Sequence, residues 1–251
     1  MLAGNIRQKM QAINKKKIAI CYHGPPRTLR ETYKSHEEYV YRRVNNEQIE
    51  YKIFVHTWNI KGNEVYQRKT SKKEADHEAW RLINPIAINT DRQDKFIENV
   101  DITKYFSESL WKRKGDRDKG EWPLQLIKNY ICSLESQKRV TSMIQGDFDY
   151  VMYMRPDIKF LSDLPDSENI LKLKDNEIIL PTKFNKRGLC DRFSIMNLKC
   201  AKTYASRINA LEDYRKNNGR IVSEEYTKHF ILNNSMTPVF LEGIDFSKVR
   251  P

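Results

Sequence analysis

The chain has 251 residues, of which 39% are hydrophobic and 31% charged, so it can bury a sizeable core and lies outside the disordered class. Its 45 Lys and Arg residues against 33 Asp and Glu residues give a formal net charge of +12, which favours an anionic partner: nucleic acid, an anionic membrane surface or a phosphorylated small molecule. No apolar run approaches the roughly 18 residues of a membrane span, and the polar residues 1–17 predict no secretory signal. Four cysteines without a close pair favour a reducing, cytoplasmic setting.

The first half of the chain alternates strand and helix patterns. The predicted elements are a lead-in segment at 1–16, a strand at 17–22, a helix at 29–44, a strand at 51–58, a helix ending near 82 and a strand at 85–89. This βαβαβ order predicts an α/β protein with a parallel, doubly wound sheet. A polar loop then leads to the most strongly periodic helix, at 122–144.

The first strand runs into a glycine-containing turn, residues 23–28, that is followed by a helix. Backbone amides and the helix dipole at such a turn favour an anion such as phosphate. A single glycine is weaker than a phosphate-loop motif, so an ordinary turn between strand and helix is the alternative.

The central strand is predicted at residues 150–154, where every side chain is apolar or aromatic, as in a strand buried on both faces. Pro156 ends the strand, since it has no N–H for the sheet. Arg155 and Asp157 then lie at the carboxyl end of the strand, where open α/β sheets bind their ligands.

The second half of the chain predicts three strands and two helices in one continuous domain, 1–251. The predicted elements are a strand at 177–180, a loop at 186–192, a strand at 193–196, a helix at 199–214, a helix at 223–233 and a strand at 238–241.

Three stretches together resemble the GT-A-fold glycosyltransferases, specifically the small capsular-polysaccharide and large-DNA-virus type. They are residues 18–28 with 54–58, residues 148–157, and residues 191–193 with Glu224 and Glu225. The resemblance covers most of residues 17–233. It implies a GT-A-like, Rossmann-type, mostly parallel twisted sheet flanked by helices, and transfer of a sugar from a nucleoside diphosphate sugar such as a UDP-sugar to a hydroxyl of a glycan or glycoprotein.

The resemblance also implies roles for particular residues. Asp157 would hold one Mn²⁺ or Mg²⁺ ion, although Arg155 stands where the family's first metal-binding acid is usual. The residues implied in nucleotide and donor binding are His23, Gly24, Arg27, Thr57, Trp58 and Arg155. The acceptor hydroxyl needs a base within hydrogen-bond reach, for which Asp191 is the first candidate and Glu224 and Glu225 are the next.

Two other classes remain open. The turn at 24–28 faintly resembles the phosphate loop of sulfotransferases, but Leu29 and Arg30 follow it where small residues are usual. The net charge and the 13 tyrosines would also suit a nucleic-acid-binding module. That module is disfavoured because the aromatic residues lie in core patterns rather than among Lys and Arg on one face. We therefore expect a glycan-synthesising enzyme without nucleic acid or a membrane span, in the cytoplasm, or in host cytoplasm if the protein is viral.

Overall fold

The computed structural model describes residues 15–60, 75–107, 122–218 and 220–249. Their main feature is a seven-stranded sheet with the strand order β3-β2-β1-β4-β7-β6-β8, beside a two-stranded sheet of β5 and β9. The strands are β1 (Lys16–His23), β2 (Ile49–Asn59), β3 (Ala87–Arg92), β4 (Tyr150–Met154), β5 (Ile158–Phe160), β6 (Glu177–Pro181), β7 (Phe193–Asn197), β8 (Thr237–Leu241) and β9 (Phe246–Lys248).

Helices cover both faces of the sheet. The α-helices are α1 (Leu29–His36), α2 (Gln93–Glu98), α3 (Leu124–Ser142), α4 (Ser167–Leu171), α5 (Leu198–Ala205), α6 (Leu211–Asn218) and α7 (Ser223–Asn233). A π-helical turn, Glu37–Tyr41, extends α1, and 3₁₀ segments occur at His77–Ile83, Ile102–Lys104 and Ser206–Ala210. Among the described residues, no helix has the length and apolarity needed to cross a membrane.

The sheet is parallel from β3 to β4 and mixed beyond it. β1 pairs in parallel with β2 and with β4, whereas β7 lies antiparallel between β4 and β6. Because β7 runs in the opposite direction, its first residue, Phe193, pairs with the last residue of β4, Met154. The carboxyl ends of β1, β2 and β4 and the amino end of β7 therefore share one edge of the sheet.

The core forms two apolar layers, one on each face of the sheet. Alternation along β1 sends Ile18, Ile20 and Tyr22 into one layer, with α1, and Ala19 and Cys21 into the other, with α3. Every residue of β4 is buried, which explains its uninterrupted apolar sequence.

A buried histidine joins α1 to the small sheet. His36, which is fully buried, contacts the Tyr22 hydroxyl through Nδ1 at 2.8 Å and the Ile158 carbonyl through Nε2 at 2.7 Å. The Ile158 carbonyl only accepts, so Nε2 carries the proton and Nδ1 accepts from Tyr22. Burial lowers the pKa of His36 to about 4, so the ring is neutral at physiological pH.

The α/β class and the mostly parallel, helix-flanked sheet are confirmed. The lead-in was predicted at residues 1–16, of which 1–14 lie outside the described part of the chain, and β1 already includes Lys16. The helix predicted at 29–44 gives way to the π-helical turn at Glu37, and the one predicted at 199–214 is divided by the 3₁₀ segment Ser206–Ala210. Beyond β4 the sheet is mixed, because β7 reverses direction.

Candidate functional site

The turn between β1 and α1 lies at the shared sheet edge and is held by the long helix α3. Gly24 has φ +89°, a conformation that favours glycine, and its amide donates to the Ser136 hydroxyl at 2.8 Å and to the His56 carbonyl at 3.1 Å. Gly24, predicted in a nucleotide-binding turn, lines the cleft described below, but its own N–H is already bonded within the protein.

Ser136 and His56 form a buried polar group beneath that turn. The Ser136 hydroxyl lies 2.7 Å from Nδ1 of His56, whose Nε2 lies 2.9 Å from the Asp91 carboxylate on β3. Both Ser136 and His56 are fully buried, so this serine–histidine–aspartate arrangement has no access for a substrate. Burial lowers the pKa of His56, which leaves a neutral ring that positions Ser136 against Gly24.

Arg27 occupies a backbone conformation that is unusual for its type. Its φ is +48°, in the left-handed region that residues with a Cβ rarely adopt. Its Nη1 donates to Oδ2 of Asp157 at 2.9 Å, and the side chain is 17% exposed. Such strain persists where surrounding contacts fix the residue, and it is concentrated at functional sites.

Asp157 is fully buried and is surrounded by cations. Arg155 donates to both of its carboxylate oxygens, from Nε to Oδ1 at 2.9 Å and from Nη2 to Oδ2 at 2.7 Å. Pairing of β5 with β9 sets Lys248 opposite Ile158, so that its ammonium lies 3.8 Å from Oδ2 of Asp157. Burial would raise the pKa of Asp157, but Arg155 and Arg27 hold it far below the usual range.

This arrangement does not fit the metal ion that the resemblance implies. Mg²⁺ or Mn²⁺ would need several oxygen ligands, whereas both Asp157 oxygens already accept hydrogen bonds from guanidinium groups. A divalent ion there would also lie beside the permanent charges of Arg27 and Arg155. Within residues 15–60, 75–107, 122–218 and 220–249, no three His, Cys, Asp or Glu side chains are grouped so that they could hold a metal. The predicted metal-ligand role of Asp157 thus lacks a suitable donor set.

A cleft opens beside the two arginines at this sheet edge. Its empty volume, which includes space open to solvent, is about 530 Å³. The loops after β1 and β4 contribute Arg27 and Arg155 to its lining, and α3 contributes further residues. His23, which is 5% exposed, also lines the cleft, and its buried Nε2 has no hydrogen-bond partner.

The protonation state of His23 is set by its surroundings. Burial, followed by the charges of Arg155 and Arg207, lowers the pKa of His23 to about 3, while Asp191 acts in the opposite direction. The Ser133 hydroxyl approaches Nδ1 of this ring at 3.4 Å. His23 is therefore neutral at physiological pH, with one ring nitrogen left for a ligand in the cleft.

The residues predicted at the end of β2 differ in their placement. Trp58 lines the cleft, and its indole N–H donates to the Cys132 carbonyl at 3.0 Å. Thr57 is fully buried, its hydroxyl has no partner, and it is not part of the cleft lining. Alternation along the strand explains the difference, because successive side chains point to opposite faces.

The three acids predicted as candidate bases have two different surroundings: Asp191 and Glu224 both lie near Arg192, whereas Glu225 lies near Arg220. The side chain of Asp191 is 11% exposed, and its Oδ1 is buried without a hydrogen-bond partner. Nε of Arg192 lies 3.9 Å from Oδ1 of Asp191, and its Nη2 lies 3.2 Å from Oε1 of Glu224. Glu225 instead pairs with Arg220 at 2.7 Å.

Asp191 lies close to the groups that line the cleft. The charge of Asp191 contributes to the pKa of both His23 and Arg155. In Arg155 burial acts to lower the pKa, but Asp157 and then Asp191 raise it, so the guanidinium stays charged. The loop that carries Asp191 is held tightly against α7, where Leu189 N–H donates to the Glu224 carbonyl at 3.0 Å.

The cleft also contains polar residues that were not predicted from the sequence. Gln125, Asn129 and Ser133 lie four residues apart on α3, so they share one helix face, and all three line the cleft. Gln93 of α2 lines it as well. The i, i+4, i+8 spacing was the available signal, but these polar positions flank an apolar stripe and resemble an ordinary solvent-facing side.

Comparison with known proteins does not assign the chain to a family. No protein-family model matches it, and none of the curated proteins compared with it is significantly similar in sequence.

Proposed function

We propose that this protein is a glycosyltransferase that moves a sugar from a nucleoside diphosphate sugar to a hydroxyl of a glycan or glycoprotein. The observation that carries the proposal is the cleft at the carboxyl edge of the sheet, which Arg27 and Arg155 line. The loop of Asp191 adjoins it, because the Arg155 amide donates to the carbonyl of the next residue, Arg192, at 3.2 Å. Open α/β sheets bind nucleotides at this edge, and guanidinium groups match the geometry of phosphate. The mixed, mostly parallel sheet is compatible with the GT-A fold, which is part of the proposal.

The shape of the cleft suits an extended nucleotide. Gln125 and Ser133 are eight residues apart on α3, which corresponds to about 12 Å along the helix. Ser133 approaches His23 at the end near the arginines, so the diphosphate would occupy that end. The amides of Gln125 and Asn129 would then face the nucleoside, since they can both donate to and accept from a base or a ribose.

The proposed transfer uses Asp191 as the base. The acceptor hydroxyl gives its proton to the Asp191 carboxylate while its oxygen forms a bond to the anomeric carbon of the donor. The bond from that carbon to the diphosphate oxygen breaks, and its electron pair leaves with the diphosphate. Asp191 suits this role because its side chain is 11% exposed and its charge acts on His23 and Arg155, which both line the cleft.

The other two acids have different proposed roles. Glu224 positions the Asp191 loop through Arg192 and the Leu189 amide. Glu225 is paired with Arg220 away from these contacts, so we propose that it takes no part in the reaction. This difference makes Glu225 a matched control for Asp191.

The experiment is a thermal-shift panel of nucleoside diphosphate sugars, followed by an assay of transfer and donor hydrolysis. Bound donor raises the melting temperature by mass action, so the panel identifies the sugar and the nucleotide. Asp191→Asn should abolish turnover and leave the donor-induced shift in place, whereas Glu225→Gln should change neither. The proposal is wrong if no nucleoside diphosphate sugar binds, and Asp191 is not the base if Asp191→Asn turns over normally.

The same panel separates the alternative classes. A shift with a 3′-phosphoadenosine sulfonate donor alone would favour a sulfotransferase. Steeply salt-dependent binding of generic DNA or RNA, without a nucleotide-sugar shift, would favour a nucleic-acid-binding module.

A further inference from the structure

Three cationic side chains surround the Asp157 carboxylate beside the cleft. Arg27, Arg155 and Lys248 all lie within 4 Å of Asp157, at 2.9, 2.7 and 3.8 Å. Asp191 acts on Arg155 from further away. Asp157 therefore gathers Arg27, Arg155 and Lys248 at one place beside the cleft.

The carboxylate of Asp157 fixes where these positive charges lie. It is fully buried, so it cannot itself touch a molecule in the cleft, whereas Arg27 and Arg155 are 17% and 16% exposed and form part of the lining. Its contact with Arg27 joins residues 130 positions apart in the chain and accompanies the φ of +48° at Arg27. Asp157 thus holds two guanidinium groups in one place, partly desolvated and preorganised.

A second observation points to a ligand at the same place. The buried Nε2 of His23 has no partner and belongs to the cleft lining beside the arginines. An unbonded ring nitrogen in a buried position is unfavourable unless a ligand or water contacts it. A neutral imidazole there could donate to, or accept from, a phosphate or sugar oxygen without adding charge.

We propose that Arg27 and Arg155 neutralise the donor diphosphate in place of a metal ion, and that Asp157 is the positioning residue that holds them. This inference rests on the proposed function and specifies how that function is performed. Guanidinium groups can form paired hydrogen bonds with phosphate oxygens, which a point charge cannot. When the anomeric carbon–oxygen bond breaks, the electron pair goes to the diphosphate oxygen, and the arginines stabilise that charge without transferring a proton.

The first test measures binding of UDP, GDP and inorganic pyrophosphate by calorimetry, with excess EDTA and with Mn²⁺. We expect at least one nucleoside diphosphate to bind in EDTA, with an affinity that Mn²⁺ changes by less than about tenfold, the ratio that corresponds to about 1.4 kcal/mol. Binding that EDTA abolishes and Mn²⁺ restores would overturn the inference and leave the proposed function standing. Failure of every nucleoside diphosphate and nucleotide sugar to bind, with or without Mn²⁺, would instead remove the proposed function.

The second test separates positioning from a merely structural role. Arg155→Lys and Asp157→Asn should each weaken nucleoside diphosphate binding in EDTA by about thirtyfold or more, since partners of a buried charge pair are interdependent. Arg43→Lys changes an arginine that pairs with Asp163 outside the cleft, so it should bind as the wild type does. Circular dichroism and melting curves identify any variant that fails to fold.

A double-mutant cycle completes the design. If Asp157 acts through Arg155, then Asp157→Asn should weaken binding far less in the Arg155→Lys background than in the wild type. Additive losses, or wild-type affinity in folded Asp157→Asn, would overturn the positioning role. If Asp157→Asn does not fold, Arg27→Lys supplies the second arm of the cycle, with the same expectation of a loss that EDTA does not alter.

Discussion

The buried histidines should make the protein lose stability between pH 6.5 and 5, before most carboxylates titrate. The pKa values of His36 and His23 are lowered from 6.5 to about 4 and about 3, mainly by burial. Between those values and 6.5 the unfolded chain binds more protons than the folded one, so the free energy of unfolding falls as the pH falls. At pH 5, about 1.5 units below 6.5, each ring contributes a loss of about 2 kcal/mol, at about 1.4 kcal/mol per unit.

These two rings together should therefore lower the free energy of unfolding by about 4 kcal/mol at pH 5. That is a large share of the roughly 5–15 kcal/mol by which folded domains are typically stable. His56, whose pKa burial also lowers, acts in the same direction. Urea unfolding followed by tryptophan fluorescence at pH 7.5, 6.5, 5.5 and 5 measures the effect.

His36→Gln isolates one ring from the others. Its amide can donate and accept like the neutral imidazole, but it does not titrate. Between pH 7.5 and 5, the free energy of unfolding should fall by about 2 kcal/mol less in the variant than in the wild type. This difference does not depend on the stability of the variant at pH 7.5. Equal losses in the two proteins, or an NMR titration of His36 near pH 6.5, would refute the assignment of a neutral buried ring.

Two further predictions concern the loop that carries Asp191 and the polar side of the cleft. Gly188→Ala should lower the free energy of unfolding by about 3 kcal/mol or more, because a Cβ there would lie 2.0 Å from the Glu224 carbonyl oxygen. Gly146→Ala is the control, because its φ of +91° is unfavourable for alanine but no atom lies within 4 Å of the added Cβ. Its free energy of unfolding should fall by only about 1–2 kcal/mol. Equal losses in the two variants would contradict the close approach at Gly188. Gln125→Ala should weaken nucleoside diphosphate binding by about 1–3 kcal/mol in calorimetry and leave pyrophosphate binding unchanged, and an equal effect on both would place the nucleoside elsewhere.

Local sequence patterns predicted the parts of the fold that depend on neighbouring residues. The apolar runs of β1 and β4 and the period of α3 were enough to find these elements, and the proline after Arg155 marked the end of β4. The interruption of the helix at Ser206–Ala210 was not predicted, because its apolar residues continue with helical spacing.

The sequence predicted several residues of the site but not the contacts between them. Arg27, Arg155 and Asp157 could be selected from the ends of predicted strands, but their mutual pairing depends on how distant segments meet in the folded chain. Asp157 follows a predicted strand where the resembling family has its metal-binding motif, so it was predicted to be a metal ligand. Residue types alone could not show that it is buried between two guanidinium groups. Lys248 was missed because β9 is three residues long and, among the described strands, pairs with β5 alone.

The contacts around Asp157 have a consequence for biosynthesis. Arg27 bonds to a residue 130 positions later, and the Thr28 hydroxyl bonds to the Val249 carbonyl, 221 positions later. The Val249 amide in turn donates to the Asp157 carbonyl at 2.9 Å. A nascent chain that has emerged only as far as β8 would therefore contain both arginines without the segment that closes around their carboxylate. Loop closure over such distances is slow, so acquisition of ligand binding should report the final stage of folding rather than the formation of the sheet.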